Sequence, residues 1–180
     1  GDTTIGPYCK VGGEVSNTVF FGYTNKGHDG YLGNAVIGEW CNLGADTNCS
    51  NLKNNYSKVK VWHYPEGKAI DTRLQFCGLL MGDHSKCGIN TMFNTGTVTG
   101  VSTNIYGGDF PPKFIPSFTW GSVHDGWQDF DLKKALSVAQ SMMERRGLTL
   151  SDTDKQILWQ IYEDSTMFRN QLIQGNPHEK

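Results

Sequence analysis

In two blocks of the chain, apolar residues return at every sixth position, mostly with glycine after them. Ile37 and Leu43 stand six apart, Gly38 and Gly44 follow them, and Cys41 and Thr47 take the fifth place of each unit. Further on, Met81, Cys87, Phe93, Thr99 and Ile105 keep the same spacing. The next residues are Gly82, Gly88, Asn94, Gly100 and Tyr106, and Ser85, Thr91, Thr97 and Thr103 hold fifth positions. This period predicts a left-handed parallel β-helix. Each hexad forms one short flat strand and three hexads make a triangular coil. The apolar side chain points into the prism and the small residue fits the corner. Upstream, Ile5 and Val11 are anchors, each followed by Gly. The period then slips through Val19–Tyr23, which still reads as strand, and resumes at Leu32 one residue short of register. The slip is expected beside His28, with a loop carrying the histidine away from the prism wall.

From Asn51 to Leu80 the period is lost. Lys58–Tyr64 alternates, Pro65-Glu66-Gly67-Lys68 reads as a turn, and Ala69–Leu74 returns as a second strand, so a β-hairpin is expected to project here. Pro111, Pro112 and Pro116 are expected to end the repeat, with Phe110, Phe114, Phe118 and Trp120 lying across the open end of the prism. Two helices follow. The first runs from an Asp131 cap to Gly147, with Arg145 and Arg146 at its negative end; the second starts at Ser151, with Asp154 three residues on as an imperfect capping box. Their apolar stripes require packing on the β-helix or on a neighbouring subunit. The predicted fold class is therefore mainly β: a left-handed parallel β-helix over 3–109 with an inserted hairpin over 51–80, a Pro- and aromatic-rich linker over 110–128, and a two-helix extension over 129–174. The tail Gly175–Lys180 is expected to fray. Gly1 begins inside a repeat, so the chain reads as a fragment of a protein with a further upstream domain.

Charge excludes some functions. Sixteen basic and 18 acidic residues give a net charge of −2, spread along the chain, which argues against a nucleic-acid or polybasic membrane surface. The 22 glycines exceed the usual ~7% share, and they sit at repeat positions, so the excess is architectural. Five cysteines, Cys9, Cys41, Cys49, Cys77 and Cys87, form no C-x-x-C pair. They read as reduced, buried and structural, which points to a cytoplasmic location. No apolar run approaches the ~18 residues of a membrane span, and no signal peptide opens the chain. His63, His124 and His178 lack a ligand-like grouping, and no metal site is expected.

The candidate for chemistry is His28. Neutral imidazole is the commonest general base, and Gly27 and Gly30 beside it permit close approach of a ligand to the backbone. Taken alone, a lone histidine is more often a satisfied surface or core residue. The string Lys26-Gly27-His28-x-x-Tyr31-Leu32-Gly33-x-Ala35-x-Ile37-Gly38-x-x-x-Asn42-Leu43-Gly44-Ala45 adds more. It resembles the acetyltransferase domain of the bifunctional bacterial enzyme that makes UDP-N-acetylglucosamine. It is still more similar to archaeal and bacterial sugar-1-phosphate nucleotidyltransferases with an amino-sugar acetyltransferase tail. The resemblance covers roughly Ile5 to Gly107, including Asn51-Leu52-Lys53, the hairpin and the return Gly82–Asn90.

What the resemblance implies is specific. His28 would take a proton from an acceptor amine that attacks the thioester of acetyl-CoA. Tyr31 matches a tyrosine that holds the sugar phosphate, Asn42 an asparagine that contacts the sugar, and Asn51 one at the junction of acceptor and acetyl group. Ala45 matches a residue whose backbone meets the acetyl-CoA end. His84 and Lys86 would face the pantetheine or phosphates of CoA from an adjacent subunit. A basic pair of the bacterial enzyme is replaced here, near Ser16 and Asn17, and Lys58 and Lys60 resemble lysines that would supply the charge instead. The residues themselves leave other readings open: Tyr31 as packing, Asn42 as a structural ladder, Lys58 and Lys60 as a solvated strand face, His84 and Lys86 as surface polarity.

The expected function is acetyl-CoA-dependent N-acetylation of glucosamine or galactosamine 1-phosphate by a homotrimer, with acetyl-CoA as co-substrate and no metal. The alternative is a non-catalytic, trimerising β-helix scaffold of a sugar nucleotidyltransferase. The glycine-rich phosphate-binding start of a nucleotidyltransferase domain does not occur in the sequence, so that activity is expected upstream of Gly1.

Overall fold

The computed structural model describes residues 1–175; the expected fraying of 176–180 and the reading of His178 lie outside the described residues. The chain coils into a β-solenoid with three faces. Face A stacks Thr4–Ile5, Val19–Phe20, Val36–Ile37, Leu80–Met81, Val98–Thr99 and Phe114–Ile115. Face B stacks Lys10–Val11, Asn25–Lys26, Asn42–Leu43, Lys86–Cys87, Asn104–Ile105 and Thr119–Ser122, and ends on the antiparallel strand Gly126–Asp129. Face C holds Glu14–Ser16, Tyr31–Gly33, Asn48–Cys49 and Met92–Phe93.

The hexapeptide phase sets the register. On face A, Ile5, Phe20, Ile37, Met81, Thr99 and Ile115 align. Cys87 and Ile105 align on face B, and Cys49 and Phe93 on face C. Met81, Cys87, Phe93 and Ile105 are all buried in one core. Ile5, at the open first coil, remains 53% exposed. Alternation along each strand sends the neighbours of these residues outward.

One corner carries a column of non-glycine residues in the left-handed region: Tyr8, Tyr23, Trp40, His84, Ser102 and Phe118. That backbone disfavours L-residues. Side-chain stacking offsets the cost, with ring centroids 5.0 Å apart for Tyr8–Tyr23, 4.1 Å for Tyr23–Trp40 and 6.4 Å for Trp40–His84.

Several expectations are corrected. The slip does not fall at His28: the chain takes a full hexad from Lys26 to Leu32, and the short steps run from Val11 to Val15, from Val15 to Phe20 and from Leu32 to Ile37. Gly13, with φ of 76°, makes the tight corner that the first short step needs. The repeat also does not end at the prolines. Within the expected linker 110–128, Phe114–Ile115 pairs with Val98–Thr99 and Thr119–Ser122 with Asn104–Ile105, so faces A and B gain another coil. Proline has no N–H to donate to a sheet, and the stretch around Pro111 and Pro112 runs without strand pairing between Ile105 and Phe114. Of the aromatic group, none plugs the prism. Phe114 stacks outside on Trp62, Phe118 sits at the corner, Trp120 packs on Phe130 and Phe110 is exposed. Leu172 and Trp127 join the core there instead.

The hairpin pairs Lys60–His63 with Lys68–Asp71 through a 3-10 turn at Tyr64–Glu66, above an antiparallel bridge between Leu52 and Phe76. It does not stand free, because Trp62 stacks on Phe114 at 4.2 Å and meets Phe168 edge-on. Helix α1 spans Leu132–Glu144 and helix α2 spans Asp152–Ile173. The Asp131 carboxylate accepts from the Lys134 N–H, and Ser151 and Asp154 form a reciprocal capping box. Both helices pack on their own chain's solenoid, burying Ala135, Ala139, Leu150 and Leu158 with Trp40, Phe118 and Phe130. Arg169, 1% exposed, fastens α2 through a 2.7 Å ion pair to Asp129. No helix among the described residues is long and apolar enough to cross a membrane.

Candidate functional site

His28 lies at the corner between faces B and C, exposed to solvent, and its imidazole makes no hydrogen bond among the described residues. What holds this corner comes from inside the prism. Lys26 takes an inward core position on face B, in register with Val11, and is 1% exposed. Its ammonium donates to the carbonyls of Gly12 at 3.0 Å, His28 at 2.8 Å and Asp29 at 3.2 Å. Burial lowers its pKa, while the carboxylates of Asp29 and Asp46 act in the opposite sense. A cation at a core position is costly unless its donors are satisfied; here three carbonyls satisfy them, and the His28 loop is the part so fixed. The sequence reading placed Lys26 in a motif without seeing this role. The hint was a charged residue six positions before Leu32, on the inward phase.

The two glycines flanking His28 differ. A Cβ at Gly27 would meet only Lys10 Cβ, at 3.9 Å, so this side is open to a ligand. A Cβ at Gly30 would collide with the Thr47 carbonyl, so Gly30 serves chain packing and the expectation of ligand approach there is corrected.

Tyr31 and Asn51 do come together. The Tyr31 ring folds along its strand over Gly33, where a Cβ would strike it. Its hydroxyl accepts from Asn51 Nδ2 at 2.8 Å, and the same amide donates to Asn34 Oδ1 at 2.8 Å. The phenol proton is left free to donate to a ligand oxygen. This cluster sits on face C, beyond the strand from the His28 corner, and no hydrogen bond joins it to the imidazole.

Asn42 lies elsewhere, pointing outward on face B in a register ladder of Lys10, Asn25, Asn42, Lys86 and Asn104. The end of α1 overhangs this ladder and closes a polar cavity of about 470 Å³. Lys86 is a wall of that cavity, its ammonium donating to the His84 carbonyl at 3.0 Å. Burial lowers its pKa. His84 itself is turned away, stacked on Trp40 beneath α2 near Asp154. Burial first, and the like charge of Lys86 second, push its pKa down to about 4. The Ala45 carbonyl is occupied by the Asn90 N–H at 2.9 Å. Lys58 and Lys60 are both exposed, and the Lys58 ammonium donates to the Arg73 carbonyl at 2.6 Å. One chain therefore joins Tyr31 with Asn51 and Asn42 with Lys86, on two faces that meet at the His28 corner.

The four buried cysteines are free thiols, and burial pushes Cys41 and Cys49 up to about 12, so they are inert packing residues.

No family model matches the chain. Over 101 residues it is 34% identical to a bifunctional sugar-1-phosphate nucleotidylyltransferase/acetyltransferase of Sulfurisphaera tokodaii, covering 55% of this chain and 25% of that protein. Over 87 residues it is 33% identical to the bifunctional protein GlmU of Methanocaldococcus jannaschii, 48% of this chain and 21% of that one. The bifunctional protein GlmU of Synechococcus elongatus is 27% identical over 135 residues, 71% of this chain and 26% of that one. The matched segment thus spans about a quarter of the length of these relatives.

Proposed function

We propose that this relative of bifunctional sugar-1-phosphate nucleotidylyltransferase/acetyltransferases carries the acetyl-transfer half of such chemistry. It would move an acetyl group from acetyl-CoA to the amine of glucosamine or galactosamine 1-phosphate. The observation that carries this reading is the Tyr31–Asn51 hydrogen bond on the strand that follows a solvent-accessible His28, whose loop is pinned by Lys26. An ammonium cannot attack a carbonyl, so the acceptor must lose a proton, and His28 would be the base that takes it. The amine nitrogen then bonds to the thioester carbonyl carbon, the C–S bond breaks, and CoA leaves as the thiol that the transferred proton completes. Tyr31 would donate to the phosphate or sugar, Asn51 would orient the acceptor, and no acyl-enzyme forms. Since faces B and C of one chain point apart, a homotrimer would bring residues of neighbouring prisms to one groove. Reduced, inert thiols suit a cytoplasmic setting.

A non-catalytic scaffold is the second reading. Lys58, needed to replace the basic pair lost near Ser16 and Asn17, spends its ammonium on the Arg73 carbonyl, which favours it. The test is thiol release from acetyl-CoA, with glucosamine and galactosamine 1-phosphates as acceptors. Release with either supports the enzyme; no release with both, from a folded protein, leaves the scaffold.

A further inference from the structure

The face-B cavity under α1 concentrates positive charge. Lys10 and Lys86 stand on its floor, and Arg145 and Arg146 reach it from the end of the helix. No carboxylate among the described residues lines it. The side chains of Lys10, Arg145 and Arg146 make no ion pair or hydrogen bond among the described residues, and the Lys86 ammonium uses one donor of three. The amides of Asn25 and Asn42 lie between these cations, also without side-chain hydrogen bonds among the described residues. In a chain of net charge −2, four cations around one cavity are a local inversion of sign. Nothing in the fold requires it: the negative end of a helix is served by cations near its last carbonyls, and that explains neither Lys10 nor Lys86, which come from strands.

We infer that this cavity binds a phosphorylated ligand. The guanidinium pair and the two ammoniums match phosphate oxygens, which arginine grips bidentately. The Asn25 and Asn42 amides suit the hydroxyls of a polar body attached to the phosphate. The wall aromatics narrow the class. Tyr23 and Trp40 are stacked on each other at 4.1 Å and an interplanar angle of 6°, and their outer faces are taken by Tyr8 at 5.0 Å and His84 at 6.4 Å. They have no free face there for a flat base, which favours the phosphate end of a ligand over a nucleobase. About 470 Å³ holds a sugar phosphate or the diphosphate portion of a CoA, and these two sources share the same chemistry. Half-buried Lys86, destabilised as a cation by its surroundings, gains most from the arriving charge. The site's chemistry stands whether or not the chain transfers acetyl groups. It lies beside that candidate centre, since Lys10 borders Gly27.

The experiment is titration calorimetry of the whole chain at low ionic strength with pyrophosphate, glucosamine 1-phosphate and CoA, none of which requires turnover. At least one should bind. Arg145→Gln/Arg146→Gln should weaken that binding by about tenfold or more, the scale of lost charge-assisted bonds. Lys10→Gln, on a rigid strand, should weaken it as well. Lys133→Gln/Lys134→Gln removes the same charge from the other end of α1 and should leave it unchanged. Which probe binds tells a sugar phosphate from CoA. No binding of any probe, or equal loss in the Lys133/Lys134 control, would overturn the site. Binding with these effects but no thiol release would keep the site while removing the acetyl-transfer reading.

Discussion

The ammonium of Lys26 sits inside the prism and donates to the backbone carbonyl of His28 at 2.8 Å. The residue proposed as base is thus positioned by a cation in the core, which also ties Gly12 and Asp29. Lys26→Met keeps the volume and removes the donors. Two effects oppose each other in stability: a desolvated cation disappears, and three carbonyls lose a partner. The two effects partly cancel, and the net change should be about 1 kcal/mol. The acetyl-transfer rate should fall by roughly 10- to 100-fold, because the His28 corner is no longer fixed. Equal rates in Lys26→Met and wild type would show that the corner needs no anchor.

Phe93 tests the register. It lies 1% exposed on face C, aligned with Cys49 and packed with Leu32 and Ile105 in the same core. Phe93→Asp forces a carboxylate into that space with no cation to pair it. The variant should lose about 4 kcal/mol or fail to fold. Thermal unfolding with a midpoint equal to that of the wild type would contradict the inward phase.

These two residues mark what sequence reveals and what it does not. Phe93 was legible because hexads repeat: a six-residue period with small fifth positions specifies the strand, the corner and the inward face together. Lys26 was not, since a lysine on the inward phase reads as a break in the pattern unless the carbonyls that receive it are known. Those carbonyls belong to backbone corners, which carry no side-chain signature. The coil containing Phe114 and Ile115 was hidden for a related reason. Its third side is replaced by the proline segment, so the period jumps from Ile105 to Ile115 even though two faces continue. The cavity of Lys10, Lys86, Arg145 and Arg146 joins strands to a helix far along the chain, and only tertiary packing brings them together. Tyr31 and Asn51, twenty residues apart, are hydrogen-bonded to each other on face C.

His84 should give the fold a pH dependence. Burial between Trp40 and α2 pushes its pKa from 6.5 down to about 4, and its Nδ1 lacks a partner among the described residues. The unfolded chain therefore binds a proton that the folded chain refuses between these values. Stability from this group is fully present above about pH 6.5 and is lost as pH falls toward 4, by up to about 3 kcal/mol. His84→Phe keeps an aromatic in a column that already holds Phe118 in the same left-handed backbone, and removes the titration. Chemical unfolding at pH 7 and pH 4.5 should show a smaller loss for His84→Phe than for the wild type. Parallel losses would assign the acid sensitivity to other groups.

The proposed base carries the most direct prediction. The His28 imidazole is exposed at its corner, outside the core and without a hydrogen bond among the described residues, and the Lys26 contact is to its backbone carbonyl, so His28→Ala should leave the melting temperature unchanged. Turnover is a different matter. If the imidazole takes the amine proton as the nitrogen attacks the thioester, its removal should lower the acetyl-transfer rate by roughly 10²- to 10⁴-fold. Affinity for acetyl-CoA should hardly move, because the group removed acts on the acceptor side of the reaction. Tyr31→Phe separates binding from chemistry. It deletes the phenol that Asn51 donates to and should raise the KM for the amino-sugar phosphate while retaining a larger share of kcat than His28→Ala does. Steady-state thiol release over a range of acceptor concentrations distinguishes the two variants. His28→Ala turning over at the wild-type rate would remove the histidine from the mechanism, and the proton would then have to leave through water or another group at the groove.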